Sequence, residues 1–275
     1  MESFNDRAHT AESTLDRQLQ GEYNVDIGGF IRQAWDLFKQ EPGKFIGFTL
    51  VLFVASMISQ IIGTLSDPEV LTSLYGYSPN LYLIAGVGIV LSIVVSLLLV
   101  PLSVGMMIAG FKMLSGQELS FNDFFHGYRY WKPLVLLSVV IGIIGFLAGL
   151  LLAIPLILVV ESVFELGSPS DMGIVFGGLL GVLYLVVLTF ILTVYIFAQP
   201  LIVDRRMGFW QAMEMSRKVV VKQWFAIFGF LMVVGLLSML GVLALLVGLL
   251  ATIPVAYLSL AVAYREIFGL ESSDW

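Results

Sequence analysis

The residue types with which a chain usually does chemistry are nearly missing here. Of 275 residues none is cysteine, and the only histidines are His9 and His126. Without a thiol, disulfides, thiolate metal sites and a cysteine nucleophile are excluded. His9 falls in a polar N-terminal stretch and His126 in a loop, neither with further ligands at metal-binding spacing. No glycine-rich phosphate loop, serine-nucleophile elbow or H-E-x-x-H motif occurs. No Asp, Glu, Lys, Arg or His stands in the middle of any long apolar block, where proton relays and ion-coupled carriers keep theirs. The expectation is a non-enzyme with no catalytic residue, no metal and no bound cofactor.

What the apolar blocks do carry is uncharged polarity. Ser56, Ser59 and Gln60 lie in the first block, Ser92 and Ser96 in the second, and Thr189, Thr193 and Gln199 in the fourth. Such residues commonly hydrogen-bond between membrane helices, at about 0.6–2 kcal/mol each. The sharper alternative is a polar lining between spans one, two and four, with Gln60 and Gln199 as the candidate intramembrane site. Gln199 is followed by Pro200, which leaves a backbone carbonyl free beside the amide side chain.

The bases are strongly segregated. Residues 204–224, DRRMGFWQAMEMSRKVVVKQW, hold five of the fourteen Lys and Arg. Phe209, Trp210, Met213, Val220 and Trp224 recur there at helical spacing, and Glu214 precedes Arg217 and Lys218 by three and four residues, the spacing of helical ion pairs. The reading is an amphipathic helix on the cytoplasmic membrane face that leads into the next span. Arg205, Arg206, Arg217, Lys218 and Lys222, with Trp35 and Trp210, are the candidate lipid-headgroup or interface residues.

The elements that position these residues follow from hydropathy. The chain is 59% hydrophobic and only 12% charged, and its apolar blocks are long enough to cross a hydrocarbon core of about 30 Å. The fold class is all-α: a polytopic membrane protein with six transmembrane helices. Residues 1–24 read as a flexible tail, 25–270 as the transmembrane domain and 271–275 as a C-terminal tail. Spans are expected at about 45–65, 81–114, 133–160, 174–203, 224–245 and 250–268. The second block would be about 51 Å long if wholly helical, so a kink is expected at Pro101. The last charge-free stretch accommodates two spans with a turn near Gly248. The first span takes the role of insertion signal. All fourteen bases fall on one side of this topology, which places both termini in the cytoplasm.

An amphipathic segment precedes each pair of spans, at residues 25–40, 116–132 and 204–224, so the chain reads as helix–span–span three times. Ser120 and Asp123 have capping-box spacing in the second. The stretch from Pro101 through Phe111-Lys112 to Gly116 aligns without gaps on Pro254, Tyr264-Arg265 and Gly269. The motif Ala198-Gln-Pro-Leu-Ile-Val-Asp204, continuing through Gly208, Ala212 and Ser216 to Trp224, and the ending Ala263-Tyr-Arg-Glu-Ile-Phe-Gly269 resemble one known group. That group is the six-span membrane domain accompanying some bacterial glycerophosphodiester phosphodiesterases, with its stand-alone relatives. The resemblance covers about residues 25–270. It implies this architecture and a bacterial inner membrane; the phosphodiesterase itself is a separate soluble barrel, so no activity or catalytic residue carries over. Two roles fit. One is a non-enzymatic scaffold, assembly factor or accessory subunit; the other is transport or handling of lipid or apolar small molecules through a cavity between the spans. Expected partners are membrane lipids, other membrane-protein subunits or a second copy of the chain, and no nucleic acid.

Overall fold

The computed structural model describes residues 19–76, 80–165, 171–244 and 247–272. Among them the fold is all-α, with six helices long and apolar enough to cross a membrane. The tail up to residue 18, including His9, lies outside the described residues.

The amphipathic helix α1 (Ile27–Gln40) starts at Asp26, whose side chain accepts a hydrogen bond from the Gly29 N–H at 2.9 Å. Pro42 opens the first span, α2 (Pro42–Leu65), at a position where its missing N–H costs nothing. The acidic connection that follows is partly helical: Asp67 caps α3 (Pro68–Tyr75) by accepting from the Glu69 N–H at 2.8 Å.

The second apolar block is two helices, α4 (Asn80–Ser103) and α5 (Gly105–Leu114). The interruption lies at Val104 rather than at Pro101, which stays inside α4. Its cause is tertiary. A Cβ on Gly105 would sit 2.0 Å from the Phe124 carbonyl oxygen, and one on Gly127 would sit 2.1 Å from the Pro101 carbonyl oxygen. Two glycines thus let the 3-10 segment Phe121–Tyr130 press against the joint, and the Tyr128 hydroxyl donates to the Leu98 carbonyl at 3.1 Å. The segment carries its capping box: the Ser120 N–H donates to Asp123 Oδ2 at 2.7 Å, and the Asn122 N–H to Ser120 Oγ at 3.4 Å.

The third span, α6 (Trp131–Glu165), leads to a fourth that is also divided, into α7 (Asp171–Val194) and α8 (Ala198–Arg205). Residues 204–224 are therefore not one helix. Asp204 ends α8, Arg206 adopts φ 52°, and a separate helix α9 (Phe209–Val220) begins after Gly208. Buried Ser216 of α9 donates to the Val194 carbonyl at 2.7 Å and so satisfies the end of α7. A short 3-10 turn joins α9 to α10 (Trp224–Leu243), and α11 (Leu249–Phe268) returns from it. Gly241 and Gly248 meet at the base of this hairpin, where a Cβ on Gly248 would lie 2.7 Å from Gly241 Cα.

The buried core sits at the base-rich end. Phe30, Ala34, Leu37 and Phe38 of α1 are buried, with Phe30 edge-on to Phe230 at 5.6 Å. Phe48 stacks on Phe124 at 4.6 Å, and the rings of Phe111, Phe197, Tyr264 and Phe268 form a second aromatic knot. The apolar stripe of α1 therefore rests on α10 and α11 as well as facing the membrane boundary. Away from this end the spans present Val54, Ile58, Leu83, Ile93, Leu147, Leu185, Leu236 and similar side chains outward. In a bilayer those faces meet lipid tails, so helix association there depends on close packing and hydrogen bonds instead of expulsion of water.

Candidate functional site

An open groove of about 390 Å³ lies among the first four spans. Ser56, Ser59 and Gln60 of α2, Ser96, Leu99, Val100 and Ser103 of α4, Ser138 of α6 and Gln199 of α8 line it. Helical spacing explains the convergence: Ser56, Ser59 and Gln60 share a face of α2, as Ser96, Val100 and Ser103 do on α4. Among the described residues, the side chains of Ser56, Ser59, Gln60, Ser96, Ser138 and Gln199 make no hydrogen bond. Nearby polar groups behave differently: Ser92 donates to the Gly88 carbonyl at 2.9 Å and Ser103 to the Val100 carbonyl at 2.7 Å. Gln199 also borders a second, largely apolar cavity of about 280 Å³ with Ile196, Phe230, Leu231, Val234, Tyr257 and Leu260. One amide thus stands between a polar and an apolar space.

Gln60 and Gln199 are brought together on the groove, with Ser56, Ser59 and Ser96 beside them. Ser92, Thr189 and Thr193 are not part of it. Ser103 and Ser138 were missed by sequence reasoning, although both stand in apolar surroundings at the spacing that finds the others. The glycine pairs Gly145–Gly149 and Gly177–Gly181 read as close-packing motifs, yet a Cβ on Gly145 or Gly181 would meet open space. The tight glycines are instead Gly21, Gly29, Gly88, Gly105, Gly110, Gly127, Gly241 and Gly248.

The basic candidates part company. Trp35 and Trp210 are exposed, as are Arg206, Arg217, Lys218 and Lys222. Arg217 and Lys218 both reach Glu214, at 2.9 and 3.3 Å, and the Arg217 guanidinium beside it holds the Glu214 carboxyl below its ordinary range. Arg205 turns inward: its guanidinium donates to the Phe268 carbonyl at 2.8 Å and pairs with Glu271 at 3.0 Å. Beside it Asp204, 2% exposed, accepts the Tyr264 hydroxyl at 2.9 Å and the Ser272 N–H at 3.0 Å. The Glu271 N–H completes the cluster at 3.2 Å from each oxygen of Asp204. The C-terminal residues 271–272 are thereby tied to the fold.

The N-terminal segment is tied as well. Gln223 Nε2 donates to the Gly21 and Tyr23 carbonyls at 2.5 and 2.6 Å, and the Tyr23 hydroxyl donates to the Val219 carbonyl at 2.9 Å. Burial pushes the Tyr23 phenol up, which keeps it a donor. Residues 19–24 accordingly dock on α9 instead of continuing the tail. His126 lies 3.7 Å from Asp123, which pairs with Lys112 at 2.8 Å. Among the described residues no group of three His, Cys, Asp or Glu is placed to hold a metal ion.

No family model, curated protein or solved structure matches this chain.

Proposed function

We propose that the protein binds an amphipathic or apolar small molecule, of which a lipid is the natural case, in the groove among its first four spans. The molecule would enter from the bilayer and be handed on without chemical change. The groove carries this reading: six polar side chains from four helices converge on it without bonding the helices to one another. A buried or lipid-facing polar group without a partner is costly, so this lining has a use when water or a polar ligand group occupies it. The apolar cavity on the other side of Gln199 suits the hydrocarbon part of the same molecule. A scaffold or accessory subunit, the other role consistent with the composition, has no need of such a lining.

The absence of native cysteine makes a direct test practical. Ser59→Cys, Ser96→Cys and Gln199→Cys should each react in native membranes with a water-soluble thiol reagent, because only a hydrated thiol ionises to the reactive thiolate. Ile93→Cys, on the outward face of α4, should stay unreactive. Lipid co-purifying with the protein should fall in Gln60→Leu/Gln199→Leu. Groove cysteines as inert as Ile93→Cys, with unchanged lipid content in the leucine variant, would refute the proposal.

A further inference from the structure

The groove among the first four spans is polar without being charged. Among the described residues that border it, serine hydroxyls and the amides of Gln60 and Gln199 supply all the side-chain polarity, and no Asp, Glu, Lys, Arg or His lines it. The charged residues of the lining helices stand close to helix ends: Lys44 on α2, Lys132, Glu161 and Glu165 on α6, Asp204 and Arg205 on α8, and none on α4. Of these, Lys44 pairs with Glu41 at 2.7 Å, Asp204 accepts the Tyr264 hydroxyl, and Arg205 pairs with Glu271. The hydroxyls behave unlike other serines in the spans, which close back on their own helices. Ser92 donates to the Gly88 carbonyl at 2.9 Å, Ser238 to the Val234 carbonyl at 3.1 Å and Ser259 to the Val255 carbonyl at 2.7 Å. That local bond is the ordinary way to satisfy a lone hydroxyl inside a helix. Ser56, Ser59, Ser96 and Ser138 do not take it. Across Gln199, the Tyr257 hydroxyl beside the apolar cavity also has no hydrogen-bond partner among the described residues.

Serine hydroxyls and glutamine amides each donate and accept, so this lining matches hydroxyl and carbonyl groups. It offers no counter-charge to a phosphate or an ammonium, and an unpaired ion at membrane depth is costly. We infer that the groove selects a lipid whose head is uncharged and built of hydroxyl and ester carbonyl groups, as in a diacylglycerol, over one that carries a phosphate. The inference rests on the binding role proposed above and adds the class of ligand. Gln199, which borders both spaces, holds the head at their junction, with the groove serines on one side and the Tyr257 hydroxyl on the other.

The test uses the full chain in phosphatidylcholine nanodiscs that hold equal minor fractions of diacylglycerol and phosphatidic acid with the same acyl chains. These two lipids differ only in the phosphate, and native mass spectrometry reads how much of each is retained. The wild type should retain one diacylglycerol per chain, favoured over phosphatidic acid about tenfold or more, because an unpaired charge inside the membrane costs at least that. Gln199→Leu should lower diacylglycerol retention about tenfold, as loss of a hydrogen bond to the head does. Its unfolding midpoint should hold or rise, since the amide it removes has no hydrogen-bond partner among the described residues. Tyr257→Phe should weaken retention several-fold. A lowered midpoint in Gln199→Leu with diacylglycerol retention unchanged would make the amide structural and overturn the inference. Equal or greater retention of phosphatidic acid, lost in Gln60→Leu/Gln199→Leu, would overturn the uncharged class and leave the groove a lipid site. Retention of neither lipid would also overturn the inference, and unreactive groove cysteines would then remove the binding role with it.

Discussion

Replacing Asp204 with alanine tests whether the last residues of the chain are structural. In the folded protein its carboxylate receives the Tyr264 hydroxyl at 2.9 Å, the Ser272 N–H at 3.0 Å and the Glu271 N–H at 3.2 Å. Tyr264 is 0% exposed, so water cannot replace the lost acceptor for its hydroxyl. That group alone carries the penalty of an unsatisfied buried donor, about 2–3 kcal/mol. Glu271 is exposed, so the freed tail can rehydrate, and its release adds about 1 kcal/mol. The total is about 3–4 kcal/mol, which in a chain of this size lowers the unfolding midpoint by roughly 10 °C. Tyr264→Phe removes one donor and leaves the carboxylate its backbone partners, a loss of about 1–2 kcal/mol. Because Asp204→Ala has already removed the partner, the double variant should lose less than the sum of the singles, with a coupling of about 1–2 kcal/mol. Asp204→Asn should fall between wild type and alanine, since an amide oxygen can still accept from both tail N–H groups. Thermal unfolding of the four variants in one detergent, followed by fluorescence, gives every number needed. A midpoint within 2 °C of wild type for Asp204→Ala, or strictly additive singles, would refute the reasoning.

Two contrasts extend it. Gly127→Ala should destabilise by about 1–3 kcal/mol or more, because its Cβ meets the Pro101 backbone carbonyl; Gly145→Ala, with open space around the new methyl group, should be neutral or slightly stabilising by the same unfolding measurement. Asp123→Ala should cost about 2–4 kcal/mol, since it removes a helix cap and strands Lys112 at a half-buried site; Glu214→Ala, whose ion pairs are exposed, should leave the midpoint unchanged.

How much of this was legible in the sequence depends on which physics decides each feature. A hydrocarbon core admits only satisfied backbone and apolar side chains, so the six spans follow from composition and length alone. The helix interruptions do not. Pro101 and Pro200 mark where a helix is weakened, but the breaks fall at Val104, against which the 3-10 segment packs through Gly105 and Gly127, and at residues 195–197, where Ser216 bonds the Val194 carbonyl. Those partners are remote in sequence. The groove was legible by residue type, because Ser56, Ser59, Gln60, Ser96 and Gln199 are conspicuous among apolar neighbours, and Ser103 and Ser138 carry the same signal. Asp204 was read only as the start of the amphipathic stretch 204–224. Its signal was the unbroken run Leu201-Ile202-Val203 before it, which places a carboxylate at the end of a buried turn.

The two interruptions acquire a common meaning from the groove. Ser96 and Ser103 stand on α4 just before the break at Val104, and Gln199 stands on α8 just after the break at 195–197. The polar lining therefore lies near the level where both spans are interrupted. On the base-rich side of that level, α1, α5, α8, α9 and the end of α11 form one aromatic and hydrogen-bonded block. On the other side, α4 and the described part of α7 present mostly exposed apolar side chains. A helix joined through a break can tilt without carrying its continuation along, because no continuous hydrogen-bond ladder couples the two parts. Under the binding role proposed above, the groove's walls adjust to an occupant while its floor stays fixed, and Gln199 belongs to the floor.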